Sequence, residues 1–429
     1  LNSQRTLVLV PTLTLVDQIS REWLENASTP FSSLFVCSDE TVASDAFVGQ
    51  TEELGVLVTT DPDDIRDFLV GDGRRVVFST YQSSPRLTEA QAVGAPGFDL
   101  TIADEAHHCV TTTGKKESYF RTVLDDERLR SDKRLFMTAT PRIVTKRIKD
   151  MAGEVDFEVA SMDVEADFGT DFHVLTFGEA IAGDLLSDYR VVIIAVSEAD
   201  TKNLIDNRKF VELEKTGFRA NAETLAVMAG LVKTINERHL THIITYHNRI
   251  AAAADFSNGL SSLLDVLPEG QGLAQQHWSR HISGEMPTGE RTTLLRGFKN
   301  LPDYQVGILS NARCLNEGVD VRAIDGIAFI QPRRSKIDIV QAVGRALRKD
   351  RNNKVATITI AIFIEDGEDA DTALSSSRFE PVWAVLQALR EHDDILAEEL
   401  DTLRSELGRR GGTVGKLPDK IVIDMPTTV

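Results

Sequence analysis

The sequence predicts an α/β protein: two tandem domains built on parallel sheets, over residues 1–175 and 176–372, then a helical C-terminal segment over 373–429. Three observations predict this. Short, continuously apolar runs of strand length recur along the chain. The segments between them carry apolar residues at helical spacing, and strands apolar on both faces that alternate with helices belong to parallel sheets covered on both sides. From Phe379 onward the alternation stops and a helical pattern takes over.

The elements follow in order. "TLVLV" (6–10) is the first strand, and Leu13, Val16, Ile19, Trp23 and Leu24 line one face of the helix after it. "VLV" (56–58) precedes "DPDDIRDFLV", where Asp61 suits a helix N-cap and Pro62 the first helical position. "RVVFS" (75–79), "DLTIA" (99–103) and "RLFMT" (134–138) complete the first sheet, and 151–188 links the two domains. The second series is "YRVVIIAV" (189–196), "THIITY" (241–246), "YQVGILS" (304–310), "GIAFI" (326–330) and "KVATITIAIFI" (354–364). Its helices include "AETLAVMAGLVKTINER" and "KIDIVQAVGRALRKD". In the last segment, Leu386, Leu389, Leu396, Leu400, Leu403 and Leu407 lie near heptad spacing, interrupted at Asp393. That stripe fits a helix packed on the second domain, or a coiled coil over 379–410 that binds a partner protein.

Composition narrows the function. Hydrophobic residues make up 42% and charged residues 26% of 429 residues, ordinary for a globular chain. No apolar run reaches the roughly 18 residues of a membrane span. The N-terminus lacks a basic segment followed by a long apolar one. Cys37, Cys109 and Cys314 are too far apart to suggest a zinc site, and a chain of this size has no need of a disulfide framework, so a reducing cytoplasm is the expected setting. A net charge of −19 argues against binding nucleic acid over the whole surface, though not against a local groove.

Three short stretches carry candidate chemistry. In "FDLTIADEAHHCV" (98–110) a buried-type strand runs into Asp104-Glu105. Ligands of open parallel sheets bind at the carboxyl ends of strands. There, one carboxylate can hold Mg²⁺ through water and its neighbour can deprotonate an attacking water; the alternative is a solvated turn. In "FMTATPR" (136–142), Thr138 and Thr140 follow the next strand and would share the rim with Asp104, unless they only form a turn before Pro141. In "QAVGRALR" (341–348), Gln341, Arg345 and Arg348 would share one helix face, with Gly344 leaving room beside them. Two such arginines can grip phosphate oxygens; the alternative is a solvated basic face.

Taken together, the chain resembles the superfamily 2 helicases and translocases, in the DEAH-containing branch that includes restriction-enzyme motor subunits. The matches come in that family's order: "VPTLTLVDQ" (10–18) for motif Ia, "FSTYQS" (78–83) for Ib, "DEAH" (104–107) for II and "TAT" (138–140) for III. "ITYHNRI" (244–250) stands where motif IV belongs, "LSNARCLNEGVDV" (309–321) resembles motif V, and "QAVGRALR" resembles VI. The resemblance implies two RecA-like domains with ATP bound between them. It implies Asp104 as the Mg²⁺ ligand through water, Glu105 as the activator of water, and His107 with Thr138 and Thr140 as the relay to other motifs. Gln341 would reach the γ-phosphate, Arg345 and Arg348 would be arginine fingers, and Gly318 and Asp320 would lie near the nucleotide. Pro11, Thr12, Thr80 and Tyr81 would lie along a track for DNA, or for RNA, held largely through the sugar-phosphate backbone. His108 and Cys109 have no role in the family and are expected to be structural.

The chain departs from the family at motif I. No Gly-x-x-x-x-Gly-Lys-Ser/Thr occurs, and "TTGKKES" (112–118) has Gly-Lys without the rest. The expectation is that the first strand, phosphate loop and following helix precede residue 1, so that the first sheet lacks its P-loop strand and this chain alone does not turn over ATP. "LPDKIVIDMPTTV" (417–429) is expected to begin a further segment. The complete protein is expected to be an ATP-dependent helicase or translocase, with two alternatives: a helicase-derived module that binds nucleic acid or partners without ATP, and the motor portion of a restriction system.

Overall fold

The computed structural model describes residues 3–37, 58–110, 119–144, 160–197, 222–266, 272–312, 314–315, 324–330, 335–349, 354–364, 380–401 and 418–424. It divides into two compact units, one built essentially on Leu1–His173 and the other on Val174–Met286 with Glu290–Val429.

The first unit has six strands: β1 (Arg5–Val10), β2 (Ser32–Val36), β3 (Val58–Thr59), β4 (Arg75–Thr80), β5 (Leu100–Ala103) and β6 (Arg134–Phe136). They form one sheet in the order β3-β2-β4-β1-β5-β6, with every pairing parallel. The side-chain period of two explains why the runs are apolar throughout. Leu7 and Leu9 of β1 enter one core and Val8 and Val10 the other, on the opposite face. Each such side chain contributes about 1.5–3 kcal/mol by leaving water. The helices are capped as local chemistry dictates. Thr12 accepts the Leu15 N–H and opens Leu13–Asn26, and Asp61 accepts the Asp63 N–H at 2.8 Å and opens Pro62–Val70.

The second unit has seven strands: β7 (Tyr189–Ser197), β8 (His242–His247), β9 (Gln276–Ser283), β10 (Gln305–Ala312), β11 (Gly326–Phe329), β12 (Ala356–Ile364) and β13 (Ile421–Asp424). The order is β13-β7-β12-β11-β8-β10-β9, again parallel throughout. One correction to the sequence reading concerns residues 421–424. They join the second sheet: among the described residues Ile421–Asp424 is an edge strand, in register with Val191–Ile194 of β7.

The C-terminal helical segment breaks where the heptad stripe does. One helix covers Glu380–Arg390 and a second runs over 394–401. Leu386, Leu389, Leu396 and Leu400 are buried, so within the described residues the stripe is core; Leu403 and Leu407 lie outside them. Asp393 makes the break. It is 0% exposed, and its Oδ1 caps the second helix by accepting the Ile395 and Leu396 N–H groups at 3.1 and 3.0 Å. Its Oδ2 accepts the Tyr189 hydroxyl at 2.7 Å and Lys420 Nζ at 3.1 Å, tying this turn to β7 and to the residue before β13. Burial alone would raise the Asp393 carboxyl; the hydrogen bonds from Leu396, Tyr189 and Lys420 outweigh it and hold it below its ordinary value.

Asp393→Ala leaves the tyrosine hydroxyl unmatched and the lysine with Asp188 alone, and should destabilise the protein by about 3 kcal/mol in urea unfolding. Because the folded pKa is the lower one, this stabilisation is present above the unfolded carboxyl range. It fades as pH falls below about 4 and through the folded value. A variant equal to the wild type at pH 7 would show that the cluster is not a stability centre.

Candidate functional site

In the first unit the site grows out of two neighbouring strand ends. β5 and β6 pair with Ala103 opposite Phe136, so the residues that follow each strand emerge on one rim. The ladder continues past both strands: Met137 N–H donates to the Ala103 carbonyl at 2.9 Å, and Ala106 N–H donates to the Met137 carbonyl at 2.8 Å. The Asp-Glu-Ala-His turn is thereby sewn to the Thr-Ala-Thr turn by main chain, before any side chain acts. Asp104 N–H donates to the Leu9 carbonyl at 2.9 Å, which anchors the turn to β1 as well.

Glu105 turns the chain. Its φ of 50° lies in the left-handed region, uncommon for a residue with a side chain, and such positions concentrate at functional sites. The turn lets Asp104 Oδ1 accept the Glu105 N–H at 3.0 Å, and brings Glu105 Oε2 to 3.3 Å from His107 Nδ1. That nitrogen is also 3.0 Å from Thr138 Oγ1, which in turn accepts the Thr140 N–H at 3.1 Å. Nδ1 faces both oxygens, and Glu105 Oε2 is buried with no hydrogen bond among the described residues. Asp104, Glu105, His107 and Thr138 thus form one connected set. Thr140 Oγ1 is buried with no hydrogen-bond partner among the described residues.

The set rests on residues that look unremarkable in the sequence. His108 lies between His107 and the Phe120 ring, with centroids 4.4 and 5.3 Å away. Tyr81 packs on Phe120 and donates its hydroxyl to the Asp104 carbonyl at 2.8 Å. Burial, with Cys109, Asp104 and Glu105 close by, pushes the Tyr81 hydroxyl well above its ordinary range and keeps it a donor. Burial likewise pushes the Cys109 thiol up to about 12, against the lowering effect of the Tyr81 hydroxyl.

The residues read as a nucleic-acid track are placed differently from one another. Thr80 and Tyr81 are fully buried, and Thr80 Oγ1 donates to Ser83 Oγ at 3.2 Å. Pro11 is buried after β1, and the half-buried Thr12 spends its hydroxyl on the helix cap. In this arrangement Thr80 and Tyr81 offer a strand no side-chain surface.

In the second unit, Gln341 and Arg345 lie on the helix Lys336–Ala346, which Ser335 caps and whose buried face is Ile339, Val340, Ala342, Val343 and Ala346. A methyl group at Gly344 would meet nothing within 4 Å, so space is open beside it. Gln341 Nε2 is buried with no hydrogen-bond partner among the described residues. Arg348 corrects the sequence reading of three residues on one helical face. The helix ends at Ala346, and Arg348 lies beyond it in an antiparallel bridge with Leu186. Gly318 and Asp320 lie outside the described residues, as does the Gly-Lys stretch 112–118. Among the described residues no three His, Cys, Asp or Glu gather as a metal cluster, and no helix is long and apolar enough to cross a membrane.

Two family models match the chain: type III restriction enzyme, res subunit, over residues 1–143, and helicase conserved C-terminal domain over 227–350. They match in the order and at the places where the two units carry these motifs. The ATP-dependent type ISP restriction-modification enzyme LlaBIII, solved bound to DNA, superposes on all of this chain with a TM-score of 0.76 and 27% identity. The chain belongs to the superfamily 2 helicases.

The two units of this helicase chain are its tandem RecA-like domains, and its likeness is to restriction-enzyme motors. A nuclease-deletion mutant of the type ISP enzyme LlaGI, in complex with a DNA substrate mimic, matches 98% of the chain at a TM-score of 0.56 and 25% identity. A probable helicase of African swine fever virus is 23% identical over 401 residues. That match covers 92% of this chain and 39% of the viral protein, and the LlaBIII match covers 28% of that enzyme. The helicase chain therefore spans well under half the length of the relatives it matches.

Proposed function

We propose that this chain is the motor core of an ATP-dependent translocase that moves on DNA. The observation that carries the proposal is the connected set Asp104, Glu105, His107 and Thr138, held on one strand-end rim by both main-chain and side-chain bonds. The residues present fit magnesium and ATP: Asp104 and Glu105 stand side by side at a strand end, and Thr140 Oγ1 and Gln341 Nε2 are buried polar atoms with no hydrogen-bond partner among the described residues. Magnesium would be held by Asp104 through water, and ATP supplies the phosphoryl group whose transfer to water drives the motor.

The chain's own residues do the rest. Glu105 accepts the proton of the attacking water, at a position where its carboxylate is only partly exposed and His107 fixes its direction. Thr138 links that pair to the second strand end. Gln341, Arg345 and Arg348 answer the charge that builds on the phosphoryl oxygens, and Gly318 and Asp320 complete the nucleotide contacts. DNA runs past the carboxyl ends of β1 and β4, where Pro11 and Thr12 offer main chain and Thr80 and Tyr81 support the turn from beneath. The DNA-bound state of both restriction-enzyme structures supports DNA over RNA, and the superposition of this chain on part of LlaBIII supports a motor within a restriction system.

The test is steady-state ATP hydrolysis by the full-length protein, alone and with duplex DNA, single-stranded DNA or RNA. It is paired with displacement of a triplex-forming strand from duplex DNA as the readout of movement. DNA-stimulated hydrolysis with triplex displacement is the expected result. Hydrolysis stimulated only by RNA would overturn the choice of DNA. DNA binding with no hydrolysis would favour a module that binds without ATP.

A further inference from the structure

The sequence places Arg348 on a helix; the fold places it just past the helix end, beside a segment from earlier in the chain. Residues 174–188 are, in sequence, the first part of the second unit. Within them a short helix, Phe177–Ala182, opens with a reciprocal cap between Thr176 and Glu179. It closes in a tight turn, where the Gly183 N–H reaches the Glu179 carbonyl at 2.8 Å and the Leu185 N–H reaches the Ala180 carbonyl at 2.8 Å. Asp184 holds a φ of 60° there, which turns the chain back toward residues 347–349.

Three contacts then join the turn to the end of the arginine helix. Ser187 N–H donates to the Leu347 carbonyl at 2.8 Å. Leu186 bridges Arg348 in antiparallel fashion. Lys349 Nζ donates to the Asp184 carbonyl at 3.2 Å and pairs with the Asp184 carboxylate. Leu347 is 0% exposed and Ser187 8%, so the central bond is sheltered from water. That segment is itself held on both sides: the Phe177 N–H donates to the His392 carbonyl at 2.6 Å, and β7 begins at Tyr189. Past Ala346 the Arg348 backbone has one long bond to the helix, its N–H reaching the Arg345 carbonyl at 3.4 Å, and the earlier segment holds it from the other side.

We propose that Asp184–Ser187 is a positioning strap for Arg348, setting where its guanidinium is presented. The proposal rests on the reading of Arg348 as an arginine finger. Its chemistry is one of placement, because an arginine that stabilises developing charge acts only from the correct spot, and displacement by about 1 Å is costly.

The test uses the full-length protein and a double-mutant cycle. Ser187→Pro removes the N–H that binds the Leu347 carbonyl, while Ser187→Ala keeps it. Ser187→Pro should lower kcat for ATP about tenfold with KM little changed, and Ser187→Ala should leave both unchanged. Arg348→Ala alone should lower kcat by about 10³ or more. Ser187→Pro added to Arg348→Ala should lower it no further, because the strap acts through that side chain. If the proline variant does not fold, Asp184→Ala with Lys349→Ala loosens the same strap through the exposed Asp184 and half-buried Lys349 side chains, and about a threefold loss with the same non-additivity is expected. Losses that multiply in the double variant would overturn the strap. Normal turnover in Arg348→Ala would instead overturn the arginine-finger reading on which it rests.

Discussion

Glu105→Gln in the full-length protein will retain ATP binding and lose turnover by about 10²–10⁴-fold, the contribution of a positioned general base. Glutamine keeps the shape of the side chain and can adopt the same left-handed backbone, so the turn that places Asp104 should survive. Its carboxamide can occupy the same place beside His107 Nδ1, which lies 3.3 Å from the native Glu105 Oε2. What it cannot do is accept the proton of water. The measurement is affinity for a fluorescent ATP analogue beside steady-state kcat. Hydrolysis near the wild-type rate would exclude Glu105 as the base, and loss of nucleotide affinity in step with turnover would point to a binding role instead.

Arg345→Ala should lower kcat by about 10³–10⁵-fold, the range that arginine fingers supply. Arg345→Lys should recover little of it, because an ammonium lacks the planar fork that meets two phosphate oxygens at once. The fold should survive either change. The helix Lys336–Ala346 is held by Ile339, Val340, Ala342, Val343 and Ala346, while Arg345 is only half-buried. Circular dichroism and a melting curve on the same samples separate the two explanations. A variant that melts early and loses activity only in proportion to its unfolded fraction would make Arg345 a structural residue.

The contrast between Arg345 and Arg348 shows how far local pattern reaches. Spacings of four and three put Gln341, Arg345 and Arg348 on one helical stripe, and that inference is sound while the helix lasts. The regular helix stops at Ala346; Leu347 and Arg348 still reach back to the Val343 and Arg345 carbonyls, while a segment some 160 positions earlier binds residues 347–349 through Ser187, Leu186 and Asp184. Nothing in "QAVGRALR" signals that partner. The same holds for Tyr81. The motif it stands in suggested a nucleic-acid contact, but its hydroxyl is committed to the Asp104 carbonyl on another strand. β9 and β13 also escaped notice. "QHWSRHIS" is too polar to read as a strand, as suits the edge of a sheet, and "IVID" is too short to read as anything until β7 is beside it.

The sequence by itself determined the class of fold, the strands whose two faces are both buried, the helix cap at Asp61, the break at Asp393, and the turn at Asp104-Glu105. All of these are set by residues within a few positions of one another, through side-chain period, capping chemistry and backbone sterics. The tertiary structure alone decided that β1 lies between β4 and β5, that β5 and β6 bring His107 to Thr138, and that Leu186 bridges Arg348 past the helix end. Those outcomes depend on pairings between distant segments, whose main-chain donors and acceptors are alike in every residue except proline and so leave no mark in the order of side chains.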